Sequence, residues 1–361
     1  MFFSSLRTTA FRNLADNETA TNAKNIFLIG ENGQGKTNFL EALYFCAYAS
    51  SFRQLRDGEL ARNGEKEFSA KVKLAQSAND EILVKFEKGK KQVFINGKRA
   101  EDRGELLSIA PTIIFCHEDL EFVSGSPERR RWFFDQTLSY YDPVYLDDFR
   151  RYRRVLKSRN AILRDFAQKK LSDSPELLLD ALDLQFAGYG IKLMEKRETA
   201  VKDFSAIFGL LYSEVAGISG INVQYIPSWK NEKDVLTRLK ERRAADLAAG
   251  ISFSGPHRDR YVFARNETEF TGQASTGQRR LLALLLRAAQ SQRFSQMTGF
   301  NPILLLDDVL LEMDGEKRRR FLSVMPAYDQ AFFTFLPDEP YQHYQNGDTL
   351  VYNVSGGMLT K

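Results

Sequence analysis

Long apolar runs are missing from these 361 residues. No stretch approaches the roughly 18 residues needed to cross a bilayer. A membrane-embedded role is therefore not expected, and the mixed polar start around Arg7 and Arg12 has no compact apolar signal core. Cysteine is nearly absent. Cys46 and Cys116 stand far apart in apolar surroundings, which excludes a disulfide framework and points to reduced, buried thiols. The three histidines, His117, His257 and His343, lack zinc-ligand spacing, so no structural metal is expected. Internal repeats and low-complexity tails are lacking too. What remains is a globular composition, 43% hydrophobic and 27% charged, long enough for two cores and suited to the cytoplasm, with no membrane partner.

The net charge is only +4, but the basic residues come in blocks: ERRR at 128–131, RRYRRVLKSR at 150–159 and KRRR at 317–320. Any one block is equally well a solvated helix face. Three of them beside a nucleotide motif favour a nucleic-acid backbone, with Arg129, Arg130, Arg150, Arg151, Arg153 and Arg154 as candidate DNA contacts.

That motif is GENGQGKT at 30–37, which fits the phosphate-loop pattern G-x-x-x-x-G-K-[ST]. Apolar Ile26, Phe27, Leu28 and Ile29 lead into it, and Phe39, Leu40, Ala42, Leu43 and Phe45 follow at helical spacing. A loop between strand and helix turns backbone N–H groups toward one anion-binding concavity. Gly30, Glu31, Asn32, Gly33, Gln34 and Gly35 form the loop, Lys36 reaches the terminal phosphates of ATP, and Thr37 is a ligand for Mg²⁺. The acidic complement is PILLLDD at 302–308, a buried strand ending in Asp307, which holds Mg²⁺ through water, and Asp308, placed to orient the attacking water. Many related ATPases carry the longer Glu at the second position, so slow hydrolysis is expected. ASTGQRR at 274–280 taken alone is a helix cap. Lying about 30 residues before the Asp strand, it follows the order of an ABC-type ATPase, in which Ser275, Gly277 and Gln278 close over the γ-phosphate of a second subunit.

Along the chain, strand signals at 68–74 and 81–86, an Asn96-Gly97 turn and a short apolar run at 112–116 surround the loop. From about 127 to 216 the pattern is helical, with the stripe Phe149, Tyr152, Leu156, Leu163 and Phe166, and a polar break at 169–175. The last part returns to α/β, with strands at 222–226, 260–264 and 331–336, a helix at 232–248 and an all-apolar helical segment at 281–286. The expected fold is α/β: an ABC-type P-loop ATPase head with a mixed, partly antiparallel sheet, plus an inserted α-helical arm. The head is expected at 1–120 and 251–361, and the helical hairpin at 121–250.

FRNL (11–14), GENGQGKTNFLEAL (30–43), SFR (51–53), GSPERRRWFFD (125–135), YRRVLKSRNAIL (152–163), SGPHRD (254–259), STGQRR (275–280) and LLLDDVLLEMD (304–314) together resemble the RecF family, recombination and repair ATPases related to the SMC proteins. The resemblance runs nearly the full length. His117 departs from it where the family usually has Pro, and Arg260 where an acid is common. It implies a cytoplasmic, ATP-dependent homodimer on DNA, at gaps or single-strand/double-strand junctions. There it recruits the mediators RecR and RecO for loading RecA, with weak ATPase activity. It also implies phosphate roles for Asn32, Gly33, Gly35, Lys36 and Thr37, metal and water roles for Asp307 and Asp308, and γ-phosphate roles in trans for Ser275, Gly277 and Gln278. One phosphate loop and one signature per chain call for a closed two-fold dimer. The alternative is the nucleotide-binding subunit of an ABC membrane transporter. Against it stand the long helical insertion and the non-transporter signature.

Overall fold

The computed structural model describes residues 2–53, 55–75, 81–102, 104–168, 176–229, 234–313 and 315–361. They divide into two compact units, Met1–Asp119 with Leu284–Lys361, and Leu120–Ala283.

In the first unit five strands run parallel in the order Thr349–Ser355, Asn25–Ile29, Gln330–Phe335, Ile303–Leu306, Thr112–Phe115, and Met358–Thr360 adds an antiparallel edge. NIFLI and ILLL are buried at every position, which is why they read as unbroken apolar runs rather than alternating ones. A second sheet, antiparallel throughout, is ordered Glu18–Ala20, Phe3–Thr9, Phe68–Leu74, Glu81–Glu87, Lys90–Ile95, Lys98–Arg99. The helix Lys36–Tyr48 packs on both sheets. Phe39 meets Phe332 of the parallel sheet at 6.4 Å, and Phe45 meets Phe68 of the antiparallel one at 5.5 Å. That double contact explains a helix apolar on nearly all sides, each buried Phe or Leu contributing about 1.5–3 kcal/mol. Cys46 and Cys116 are buried free thiols.

The second unit holds the helices Pro127–Tyr141, Pro143–Ala167, Glu176–Ala216 and Val235–Ala249, and a three-stranded antiparallel sheet of Thr268–Glu269, Arg260–Arg265 and Ile221–Ile226. Ser126 and Asp142 cap the first two helices, each followed by Pro at the first helical position. Pro143–Ala167 and Glu176–Ala216 pack as the expected hairpin around Tyr145, Tyr152, Val155, Phe186 and Leu193. The polar break expected at 169–175 lies outside the described residues. So do the first two residues of the helix expected at 232–248.

Two buried arginines fasten the segment from Ser252 to Asp259 to these helices. Arg159 donates to Asp183 at 2.7 Å, Asp246 at 2.8 Å and the Ser252 hydroxyl at 2.6 Å. Arg197 donates to Asp135 and to Asp259, both at 2.7 Å, and to the Pro256 carbonyl at 2.8 Å. With Ile221–Ile226 and Arg260–Arg265 paired across position 250, residues 251–283 belong to this second unit. The boundary therefore falls later than the expected 250, inside the helix Thr276–Thr298. Among the described residues no helix is long and apolar enough to cross a membrane.

Candidate functional site

In the first unit the end of Asn25–Ile29 opens into the phosphate loop, and Lys36–Tyr48 begins on its far side. An open cavity of about 280 Å³ lies there, lined by Glu31, Asn32, Gly33, Gly35, Lys36, Thr37, Asn38, Arg53 and Asp308. The Lys36 ammonium donates to the carbonyls of Gly30 at 2.6 Å and Glu31 at 3.2 Å. An ammonium has three donors, so one is left for a phosphate oxygen.

Asp307 follows Ile303–Leu306 and stands behind Thr37, whose hydroxyl donates to Asp307 Oδ1 at 2.9 Å. Burial first, and the charge of Asp308 second, push the Asp307 carboxyl up to about 7, against the Thr37 hydrogen bond and Arg53. A buried carboxylate with a hydroxyl beside it is short of positive charge and offers hard oxygen donors, which fits a magnesium ion that keeps several waters. Asp308 is oriented by Thr334, on the neighbouring strand Gln330–Phe335. Its backbone N–H donates to Thr334 Oγ1 at 2.7 Å, and that hydroxyl donates to Asp308 Oδ1 at 2.9 Å.

Of the loop residues singled out from sequence, Gly30 and Gln34 do not line the cavity. Three further residues join this geometry. Asn38 and Arg53 line the cavity, and Arg53 donates to Asn38 Oδ1 at 3.1 Å and pairs with the buried Glu41 at 3.6 Å. Thr334 carried no motif at all. The SFR stretch held the one available signal, a cation just after the loop helix.

In the second unit Ser275 and Gln278 form a reciprocal cap on the helix Thr276–Thr298. Ser275 N–H donates to Gln278 Oε1 at 2.8 Å, and Gln278 N–H donates to Ser275 Oγ at 3.3 Å. Ser275 and Gly277 are exposed, and Gln278 is partly buried. The basic candidates divide. On Pro143–Ala167, Arg151, Arg153 and Arg154 are exposed, and Arg150 pairs with Asp147 at 3.8 Å. On Pro127–Tyr141, Arg129 and Arg130 are half-buried, Arg130 reaching the Gly125 carbonyl. Arg159, from the same basic block, is fully buried.

The chain matches the RecF/RecN/SMC N terminal domain over residues 2–351. It is 43% identical over 353 residues to the DNA replication and repair protein RecF of Treponema pallidum, covering 96% of this chain and 97% of that one. It is 33% identical to RecF of Moorella thermoacetica, covering 85% and 82%. A solved structure of the recombination mediator protein RecF-ATP in the RecFOR pathway superposes with a TM-score of 0.88 at 26% identity, covering 100% and 97%. An Smc head bound to the C-winged helix domain of ScpA, 14% identical, shares the fold at a TM-score of 0.56, covering 100% and 96%. With its phosphate loop, Asp strand and helical unit, the chain belongs to the RecF family of DNA replication and repair proteins, within the ABC/SMC-like class of ATPases.

Proposed function

We propose that the chain is an ATP-gated DNA clamp of recombinational repair in the cytoplasm. It closes head to tail as a homodimer on gapped or junction DNA, recruits RecR and RecO for the loading of RecA, and resets by slow hydrolysis. The observation that carries this reading is the cavity in which Lys36, Thr37 and Asp308 converge, with Asp307 directly behind. The solved RecF-ATP structure supports ATP as its ligand.

Each residue has a part. Loop N–H groups and Lys36 hold the phosphates. Thr37 Oγ1 and Asp307 would hold Mg²⁺, which would neutralise charge on the phosphates. Asp308 has Oδ1 engaged by Thr334, which leaves Oδ2 to accept a hydrogen bond from the attacking water. Ser275 Oγ accepts from Gln278 N–H and keeps its own proton to donate to a γ-phosphate. The exposed arginines of Pro143–Ala167 meet DNA phosphates.

Sedimentation of wild type, Lys36→Ala and Ser275→Arg with and without ATP tests the composite site. Wild type is expected to dimerise only with ATP, and each variant alone to stay monomeric. Mixed together, the two variants place both lesions in one site and leave the other intact, so dimers should partly return. Monomers throughout, wild type included, would sink the reading.

A further inference from the structure

Gln34 stands in the middle of the phosphate loop yet does not line the cavity. Both of its acceptors are taken by the hairpin formed by Thr349–Ser355 and Met358–Thr360. Ser355 pairs with Met358, so Gly356 and Gly357 form a two-residue turn, with φ of 56° and 81°. Positive φ at both positions is the turn that suits the right-handed twist of a hairpin. Its two N–H groups point at the loop. Gly356 N–H donates to Gln34 Oε1 at 2.7 Å, and Gly357 N–H donates to the Gln34 carbonyl at 2.8 Å.

The turn and the loop are both held by the segment from Asn13 to Ala15. Ala15 N–H donates to the Gly357 carbonyl at 2.9 Å. Asn13 donates to the Gly33 carbonyl at 3.3 Å and accepts from Asn38 at 2.7 Å. The packing leaves no room for a side chain. A Cβ on Gly357 would run into the Asn13 carbonyl, and one on Gly35 would approach the Gly357 Cα at 3.3 Å.

This arrangement has a direct consequence for phosphate binding. A trans peptide points its N–H opposite to its C=O. Holding the Gln34 carbonyl toward the hairpin therefore turns the Gly35 N–H the other way, and Gly35 lines the cavity. We propose that the Gly356–Gly357 turn is a clasp that presets the phosphate loop for nucleotide, and that Gln34 is the positioning residue through which it acts. The clasp rests on the ATP-binding reading above and explains why a loop residue that faces away from the phosphates is polar. A preset loop loses less freedom when the triphosphate arrives, so the benefit falls on affinity.

The test titrates a fluorescent ATP analogue with Mg²⁺ into wild type, Gln34→Met, Gln34→Glu, Gly357→Ala and Lys36→Ala. Unfolding midpoints are recorded without nucleotide. Gln34→Met keeps length and removes the side-chain acceptor. It should weaken binding roughly five- to tenfold, the size of one lost hydrogen bond, raising KM rather than lowering kcat and leaving the unliganded midpoint in place. Gln34→Glu restores the acceptor and should recover most of the affinity. Gly357→Ala should weaken binding further. If Gln34→Met binds as wild type does, or its loss is matched by a fall in the unliganded midpoint, the clasp is wrong even though Lys36→Ala fails to bind. If wild type itself binds no nucleotide, the ATP reading fails and takes the clasp with it.

Discussion

Asp308 adopts a left-handed backbone, φ 53°, which a short polar side chain tolerates better than a long one. That conformation brings its N–H and carboxylate together onto the one hydroxyl of Thr334. The carboxylate is thus aimed by Thr334, whose longer approaches to the Leu306 carbonyl at 3.4 Å and to Asp307 Oδ1 at 3.5 Å are weaker. Two single-turnover experiments separate aim from chemistry. Asp308→Asn keeps ATP binding but should slow hydrolysis by about 100-fold or more, the lower end for a lost base. Thr334→Val leaves the carboxylate unaimed and should slow it by about tenfold with unchanged affinity, so a wild-type rate in that variant would remove Thr334 from the machinery. As a cluster around one cavity, Lys36, Thr37, Asp307 and Asp308 were legible because each lies in a contiguous motif with local spacing. Thr334 and Asn13 were not. Thr334 meets Asp308 through the parallel register of Ile303–Leu306 beside Gln330–Phe335, and Asn13 meets Gly33 through a loop 20 residues earlier in the chain.

Among elements, the helix Pro143–Ala167 shows how far periodicity reads. Its apolar stripe was visible, but the buried face runs through Tyr145, Asp148, Tyr152, Val155, Arg159 and Leu163, with two charged residues among them. Arg159 read as surface because its partners, Asp183 and Asp246, come from two other helices that no local pattern links to it. The same packing encloses His257. Its Nε2 lies 3.0 Å from the Ser252 carbonyl, which can only accept, so Nε2 carries the proton and Nδ1 accepts from Tyr152 at 2.8 Å. Burial, aided by Arg258, Arg131 and Arg159, pulls the ring down to about 4 from the ordinary 6.5. The unfolded chain therefore takes up a proton that the folded one refuses, and stability is lost as pH falls from about 6.5 toward 4. Between pH 6.5 and 5 the loss should reach at most about 2 kcal/mol, since the ring keeps some contact with water. Urea unfolding followed at pH 7.5, 6 and 5 reads it, and His257→Gln should flatten the dependence. An equal slope in the variant would assign the acid sensitivity elsewhere.

At the scale of the whole molecule, a net charge of +4 is too small to draw DNA by itself, so attraction has to come from a local concentration of cations. Pro143–Ala167 supplies one. Arg151, Arg153 and Arg154 are exposed on it, while its inward face is tied up with aromatic and carboxylate partners. Three phosphate contacts per chain should contribute about 2.7 to the slope of log affinity against log salt, and a dimer that presents both helices about twice that. Replacing all three by Ala should therefore cut the slope measured with ATP by about 5 on duplex, with little dependence on base sequence. If Lys36→Ala fails to close the proposed dimer, the same three substitutions should there remove only about half as much. Fluorescence anisotropy between 50 and 200 mM salt is sufficient to measure both differences, the range over which such contacts lose orders of magnitude in affinity. An unchanged slope in the triple variant would move the DNA path off this helix. A cut of equal size with and without a working Lys36 would mean that DNA is held by single chains, and that ATP does something other than join two of them.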